Sequence, residues 1–595
     1  MFTTRPEIMG TFGVVASTHW LASATGMAIL ERGGNAFDAA VAAGMTLQVA
    51  EPHLNGPGGD LPLIFYCANE NRARVICGQG IAPQKATTKH YRDLGVDLIP
   101  GSGLLAAVVP GAFDAWMLML GDYGTRSLAE VLEPALHYAE HGVPLVARVS
   151  ETIAQVAELF KSEWVSSAAV YLPNGEIPKP GSLLANKSLA TTWRRLLAEA
   201  KAGGGRREKQ IEAARQAWNQ GFVAEAIDRF CRDNEILDST GRRHKGLLTG
   251  DDMAHWCASY EEPLTLDYGD YRACKCGPWS QGPTQLQMLA LLRGIDMAAM
   301  DPLGADFVHT VVEVIKLAFA DREAYYGDPN FVNVPMEHLL SAEYNDARRA
   351  LISDHASLTL RPGSIEGFQW RLPTAVQSES VDAATLAKFG IGEPTVAKSG
   401  ASHGDTCHLD IIDRWGNMVS ATPSGGWLQS SPTIPALGFC LGSRAQMFWL
   451  EDGLPASLVP GKRPRTTLTP SLALKHGKPY MAFGTPGGDQ QEQWQISFFL
   501  RHIHHLMNLQ EAIDAPSFHS EHFPSSFFPR TASPGRLVAE ARFPQATLAE
   551  LQRRGHLLAV GEAWSEGRLS AATQENGILK AAANPRGMQG YAVGR

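Results

Sequence analysis

Residues 402–424 read SHGDTCHLDIIDRWGNMVSATPS. CHLDIID alternates as a half-buried strand, GNM turns the chain and VSATPS returns, which predicts a β-hairpin. Residues 355–404, just before it, are rich in Ser, Thr, Gly and Pro with little periodicity, and read as a long exposed segment that ends at Asp405. A second hairpin pattern, PSLALKHGKPYMAFGTPGGDQQ, closes in a glycine-rich turn, and ISFFLRHIHHLMNLQEAIDAP predicts a helix stopped by Pro516. The chain after Asp405 is therefore strand-rich, and the chain before it helix-rich. Gly33 and Gly34 split residues 17–50 into two helices, the second opened by Asn35. Residues 125–260 are largely helical, with GGGRREKQ at 203–210 as a surface loop leading into a helix, and DFVHTVVEVIKLAFADREAYYGD predicts a long helix. In EPHLNGPGGDLPLIFY a glycine-rich turn precedes an apolar strand, which marks either a tight connection or a backbone that another group approaches closely.

At 595 residues the chain exceeds one ordinary hydrophobic core. Hydrophobic content of 44% and charged content of 19% are those of a globular protein, and a net charge of −9 with no long basic run excludes nucleic acid as the expected partner. No run is apolar enough for a signal-peptide core or a membrane span, so a cytoplasmic protein is expected. Eight cysteines fit no disulfide framework. Cys274 and Cys276 in RACKCG are expected on opposite faces of a strand, which argues against a metal pair. His502, His504 and His505 in RHIHH share no helix face well and lack a matching acid, so no metal is expected there, and GPGGD lacks the GK[ST] ending of a phosphate loop. No cofactor is predicted.

Thr406 is the residue with chemical promise. A threonine hydroxyl attacks a carbonyl only with a base beside it, and cleavage before Thr406 would supply one: its own α-amine, with a pKa of about 8. Ser424 and Thr422, on the returning strand, are placed to bond that hydroxyl or amine, and TPGGD at 485–489 offers consecutive N–H groups unshielded by side chains. Strand threonines and Gly-Gly turns are common, so spacing alone also allows a purely structural role.

GNAFDAAVAAGMTLQVAEPHLNGPGGD, IAPQKAT, VVPG, AFADREAYYGDP, DTCHLDIIDRWGNMVSATPS, GKRPRTTLTPSLAL, GTPGGDQ and NLQEAIDAPSFH together resemble, in order, the γ-glutamyltranspeptidase family. The resemblance implies a four-layer αββα sandwich of the N-terminal nucleophile hydrolase type, an α+β fold built jointly by two subunits. One precursor would cut itself between Asp405 and Thr406 into a large subunit (1–405) and a small one (406–595), alone or as a dimer of such pairs. Thr406 would be the nucleophile, Ser424 its supporting hydroxyl, and Gly487 and Gly488 the oxyanion hole. Thr466 and Thr467 match a serine pair that holds substrate carboxylate, and Gln446 a glutamine near the substrate amine.

The departures bear on substrate. Gln79 in GQGIAP stands where the family has the arginine of FREMAP, which pairs with the α-carboxylate of glutamate. Trp449 stands at the position of the aspartate that reads the α-amine, Gly426 at that of an asparagine, and GGG has become GGD with Asp60. Losing both charges is expected to weaken glutamyl binding by about 2–5 kcal/mol. The stretch EDGLPASLVPGKRP is shorter than the family's lid segment, which predicts an open site suited to hydrolysis. The chain is accordingly expected to be a self-processing amidohydrolase acting on a small-molecule amide without the glutamyl zwitterion, as the family's cephalosporin acylases and oxamate amidohydrolase do. One rival is true γ-glutamyl hydrolysis or transfer on glutathione, with Arg74, Arg444 or Arg465 replacing the lost clamp. The other is a non-catalytic binding protein that keeps the fold.

Overall fold

The computed structural model describes residues 2–374 and 406–595. Asp405, the bond after it, and the larger part of the segment predicted to be exposed lie outside the described residues. Two seven-stranded antiparallel sheets form the centre. The first runs, in order, Tyr591–Gly594, Gly13–Ser17, Leu409–Asp413, Met418–Ala421, Leu61–Cys67, Arg72–Gly78 and Ser259–Glu261. The second runs Ile8–Gly10, Ile578–Ala583, Ser570–Glu575, Lys478–Gly484, Ser471–Lys475, Tyr271–Lys275 and Leu264–Tyr268. Each sheet thus takes strands from both sides of the predicted cut, and each predicted hairpin lies inside its sheet.

The period of two decides what each hairpin residue touches. Cys407, Leu409 and Ile411 join the core under the helices Trp20–Glu31 and Ala36–Ala50. Ile412 and Met418 face the second sheet, in a thin core shared with Val14, Ile64, Leu472 and Ala482. The far face of the second sheet is covered by Pro283–Leu292, Ala305–Tyr325 and Gln491–His504. Helix, sheet, sheet and helix make the four-layer αββα sandwich expected. The first pair of helices ends and restarts as predicted: Gly33 has φ +85°, and Asn35 accepts from the backbone of Phe37 and Asp38 in a capping box.

Two local expectations change. The helix predicted up to Pro516 is two, Gln491–His504 and Leu509–Asp514, because Leu506 takes φ +53° and Asn508 opens a new capping box with Glu511. Cys274 and Cys276, two positions apart, share a strand face and both enter the core between the sheets, since alternation returns every second residue to one side. Among the described residues no helix is long and apolar enough to cross a membrane.

Candidate active site

The glycine-rich turn before Leu61 is approached by the chain's own backbone. A Cβ on Gly56 would sit 2.3 Å from the Gly426 carbonyl, on Gly58 2.1 Å from that of Cys440, and on Gly59 2.0 Å from that of Ser424. The turn is wrapped around residues 424–426 and holds Ser424 by reciprocal bonds: Asp60 N–H donates to Ser424 O (2.8 Å), and Ser424 N–H to Asp60 O (3.1 Å). Gly426, at φ +65°, would drive a Cβ to 2.8 Å from the backbone of Gly58 and Gly59, so an asparagine cannot occupy this position here.

Ser424 also pairs with Thr406 across the hairpin, and the two hydroxyl oxygens lie 3.1 Å apart, fully buried. Two residues further on, His408 faces the same side. Its Nε2 lies 3.0 Å from Asp410 and its Nδ1 2.9 Å from the Thr422 hydroxyl, while Ser570 donates to the other Asp410 oxygen (2.7 Å). Thr422 therefore serves His408, not the Thr406 hydroxyl as expected. On the opposite face, Cys407 contacts Glu51 (3.0 Å) and Asn55 (3.1 Å). Burial raises both the Glu51 carboxyl and the Cys407 thiol, so the neighbouring thiol stays protonated.

The second sheet delivers the TPGGD turn. Phe483 O accepts from Ser420, and Gly484 lies so close to His408 that a Cβ would meet the ring at 2.3 Å. In the hairpin register Ser420 is level with Asp410 and His408 lies nearer the Thr406 end, so this strand travels toward the Thr406–Ser424 pair as it enters TPGGD. The Gly488 carbonyl accepts from Gln281 (3.0 Å) and that of Gly487 from Gln491. Among the described residues the N–H groups of Gly487 and Gly488 donate to no protein acceptor. The helix Gln491–His504 starts just beyond, and its dipole adds positive potential at the turn.

Gln281 bridges onward, its N–H donating to Thr466 O (2.9 Å). Thr466 Oγ1 accepts from Leu468 N–H, and Thr467 Oγ1 is buried without a partner among the described residues. Gln446 donates to Ser443 (2.9 Å) and accepts from Phe528 N–H (3.1 Å). Trp449 packs with Leu98, Leu454, Ala456 and Phe528, and the Arg530 guanidinium stacks 4.2 Å from its ring. Gln79 is buried near the glycine turn, where Gly111 packs against Gly78 and donates to Gly59, and its Oε1 is unpartnered among the described residues. The short stretch after Trp449 folds back, pairing Ser457 beside Trp449, and in the uncut chain the side chains of Thr406, Ser424, Gln79, Gln446 and Trp449 are buried.

The proposed replacement arginines are committed elsewhere. Arg444 makes a two-point ion pair with Asp60, both contacts at 2.9 Å. Arg465 meets Glu323 at 2.8 Å, and Arg74 pairs with Glu70 at 3.4 Å on the half-exposed end of its strand. The departure at Asp60 is thereby explained: it neutralises Arg444. Asp60→Ala is expected to destabilise the protein by about 3–5 kcal/mol by stranding a buried guanidinium. In urea unfolding, Asp60→Asn combined with Arg444→Gln should recover most of that loss. A loss under about 1 kcal/mol for Asp60→Ala would show the pair contributes nothing.

The RHIHH histidines make no cluster, since His502 bonds Tyr480 and His504 bonds Tyr268. His309, Glu313 and His556 do lie together, but the two rings bond each other (2.9 Å), and Lys316 and Arg361 neutralise Glu313.

Two facing sheets between helical layers, with a buried Thr–Ser pair at the end of a central hairpin, match an amidohydrolase of the N-terminal nucleophile class. The chain belongs to the gamma-glutamyltranspeptidase family, whose sequence profile matches residues 22–594. It is 31% identical to the glutathione hydrolase-like YwrD proenzyme of Bacillus subtilis, over 99% of each chain. To the acylase ACY 1 proenzyme of Pseudomonas sp. (strain SE83) it is 30% identical, over 96% of this chain and 92% of the other. Among solved structures it resembles LmbA2991 (57% identity, both chains covered in full, TM-score 0.93). It also resembles a cephalosporin acylase from Bacillus halodurans (26% identity, 100% and 98% covered, TM-score 0.83).

Proposed function

We propose that this protein is a self-processing threonine amidohydrolase whose substrate is an amide lacking the α-amino-acid zwitterion of glutamate. The observation that carries the mechanism is the Thr406–Ser424 pair, 3.1 Å apart; supporting it is the glycine turn at 487–488, whose two N–H groups meet no protein acceptor among the described residues and whose strand runs past His408. In maturation the Thr406 hydroxyl attacks the Asp405 carbonyl, the acyl group shifts from nitrogen to oxygen, and water cleaves the ester. Chains 1–405 and 406–595 result, with Thr406 as a new amino terminus. In turnover its amine takes the hydroxyl proton as Thr406 Oγ1 attacks the substrate carbonyl, and Gly487 and Gly488 N–H groups meet the oxyanion. The protonated amine then gives its proton to the leaving amine, and water hydrolyses the ester to release the acid.

The choice of substrate rests on Gln79, Gly426 and Trp449. A neutral amide cannot replace the bidentate arginine, Gly426 admits no side chain, and Trp449 is packed into a small apolar cluster. Similarity to a protein described as an acylase supports this choice, while similarity to one described as glutathione hydrolase-like favours the rival. The test compares kcat/KM for γ-glutamyl anilide and glutathione with simple acyl amides, including oxamate and aryl and aliphatic acyl anilides. Turnover of one of the simple amides with negligible γ-glutamyl activity is the expected result. A γ-glutamyl kcat/KM of about 10⁴ M⁻¹s⁻¹ or more overturns it.

A further inference from the structure

The sequence of the turn TPGGD at 485–489 creates a mechanical difficulty. The peptide plane between Gly487 and Gly488 has no side chain on either flank, so rotating it meets little steric resistance. An N–H on such a plane turns away from a charge as readily as toward it. Stabilising an oxyanion requires donors that are fixed before the reaction begins.

The planes are fixed from their carbonyl ends. The turn's peptide bonds are trans, so each N–H points opposite to the carbonyl that shares its plane. Three consecutive carbonyls are each taken by a side chain. The Thr485 hydroxyl donates to Pro486 O (2.8 Å), Gln491 Nε2 to Gly487 O, and Gln281 Nε2 to Gly488 O (3.0 Å). The first of these bonds sets the N–H of Gly487, and the second sets that of Gly488. Both glutamines are held in one amide orientation. Gln491 Oε1 accepts from Thr469 N–H (3.1 Å) and Gln281 Oε1 from Arg322 Nη1 (2.7 Å), which leaves each amide nitrogen to face the turn. Thr485, Gln281 and Gln491 are all fully buried. The strand enters the turn at Gly484, pressed against His408, which is two residues from Thr406 on the same strand face.

We infer that Gln491 is a positioning residue of this site: by holding the Gly487 carbonyl it aims the Gly488 N–H, as Thr485 does for the plane before. The inference rests on the proposed amidohydrolase activity and names what organises its oxyanion turn. Gln491 acts through a peptide plane, so its contribution belongs to the transition state and not to substrate binding.

The test uses cleaved enzyme and the acyl anilide that the parent hydrolyses fastest. Gln491→Met keeps the length of the side chain and removes the donor. Its kcat should fall by about 10- to 100-fold with KM within about threefold of the parent. Gln491→Glu should outpace Gln491→Met at the acid end of the activity range, where a protonated carboxyl regains an O–H donor for the same carbonyl. Added to Gly488→Ala, Gln491→Met should cost less than about threefold more, because both changes disable one N–H. Circular dichroism and the extent of cleavage report folding. If Gln491→Met stays uncut, Thr485→Val carries the test, since it removes a hydroxyl and no bulk and should lower kcat alone. Parental kcat in the cut variant, a fall confined to KM, no rescue by Gln491→Glu, or a full multiplicative loss on Gly488→Ala overturns the inference alone. A parent that hydrolyses no acyl anilide refutes the amidohydrolase proposal and this inference with it.

Discussion

Thr406→Ala is expected to purify as one uncut chain and to lose amide turnover by about 10⁴- to 10⁶-fold, the range seen when a covalent nucleophile is removed. The same hydroxyl is asked to do both reactions, so both should vanish together. No neighbour can take over. Ser424 is held by Asp60 through its backbone and is not at a chain end, and the Cys407 thiol faces the helical layer, protonated against Glu51. Thr406→Ser keeps a hydroxyl and should be cut and active at a reduced rate. A Thr406→Ala protein that still appears as two chains would assign the cut to an outside protease. One that still hydrolyses amides would move the nucleophile elsewhere.

The second large effect belongs to the oxyanion turn. Gly488→Ala should fall by about 10²- to 10³-fold in kcat with little change in KM, because an N–H aimed at the developing charge contributes only in the transition state. The two glycines differ in what they can report. Gly487 sits at φ +118°, and a Cβ there would lie 3.0 Å from the Trp494 ring, so Gly487→Ala combines lost catalysis with strain and should also fold poorly. Gly488 lies outside the left-handed region and carries the cleaner test. Circular dichroism and the extent of cleavage, read beside the kinetics, separate a folded slow enzyme from a misfolded one. A folded, cut Gly488→Ala of parental kcat would remove the turn from the mechanism.

Periodicity made the architecture legible because its elements are local. Both hairpins, the Asn35 restart and the long helix Ala305–Tyr325 follow from alternation, turn residues and caps. What periodicity could not supply was which strands share a sheet. The strands Gly13–Ser17 and Tyr591–Gly594 are neighbours although they stand at opposite ends of the chain. Ordered motifs brought Thr406, Ser424 and the Gly-Gly turn forward, and the fold draws the first two together. His408 was missed, although alternation from Thr406 places it on the same face; the signal was present in DTCHLD and needed the register to interpret. Arg444 was misjudged for a related reason. Its partner Asp60 is remote in sequence, and only the wrapping of the glycine turn around Ser424 brings the two into contact.

In the proposed mechanism, maturation and turnover both depend on the chemical identity of one chain end. Enzyme shown to hydrolyse an amide should be separated on a denaturing gel and the smaller chain sequenced from its N-terminus. The expected result is two chains, with the smaller beginning Thr-Cys-His-Leu at Thr406. Active protein that remains a single chain, or a smaller chain that begins at any other residue, would contradict it.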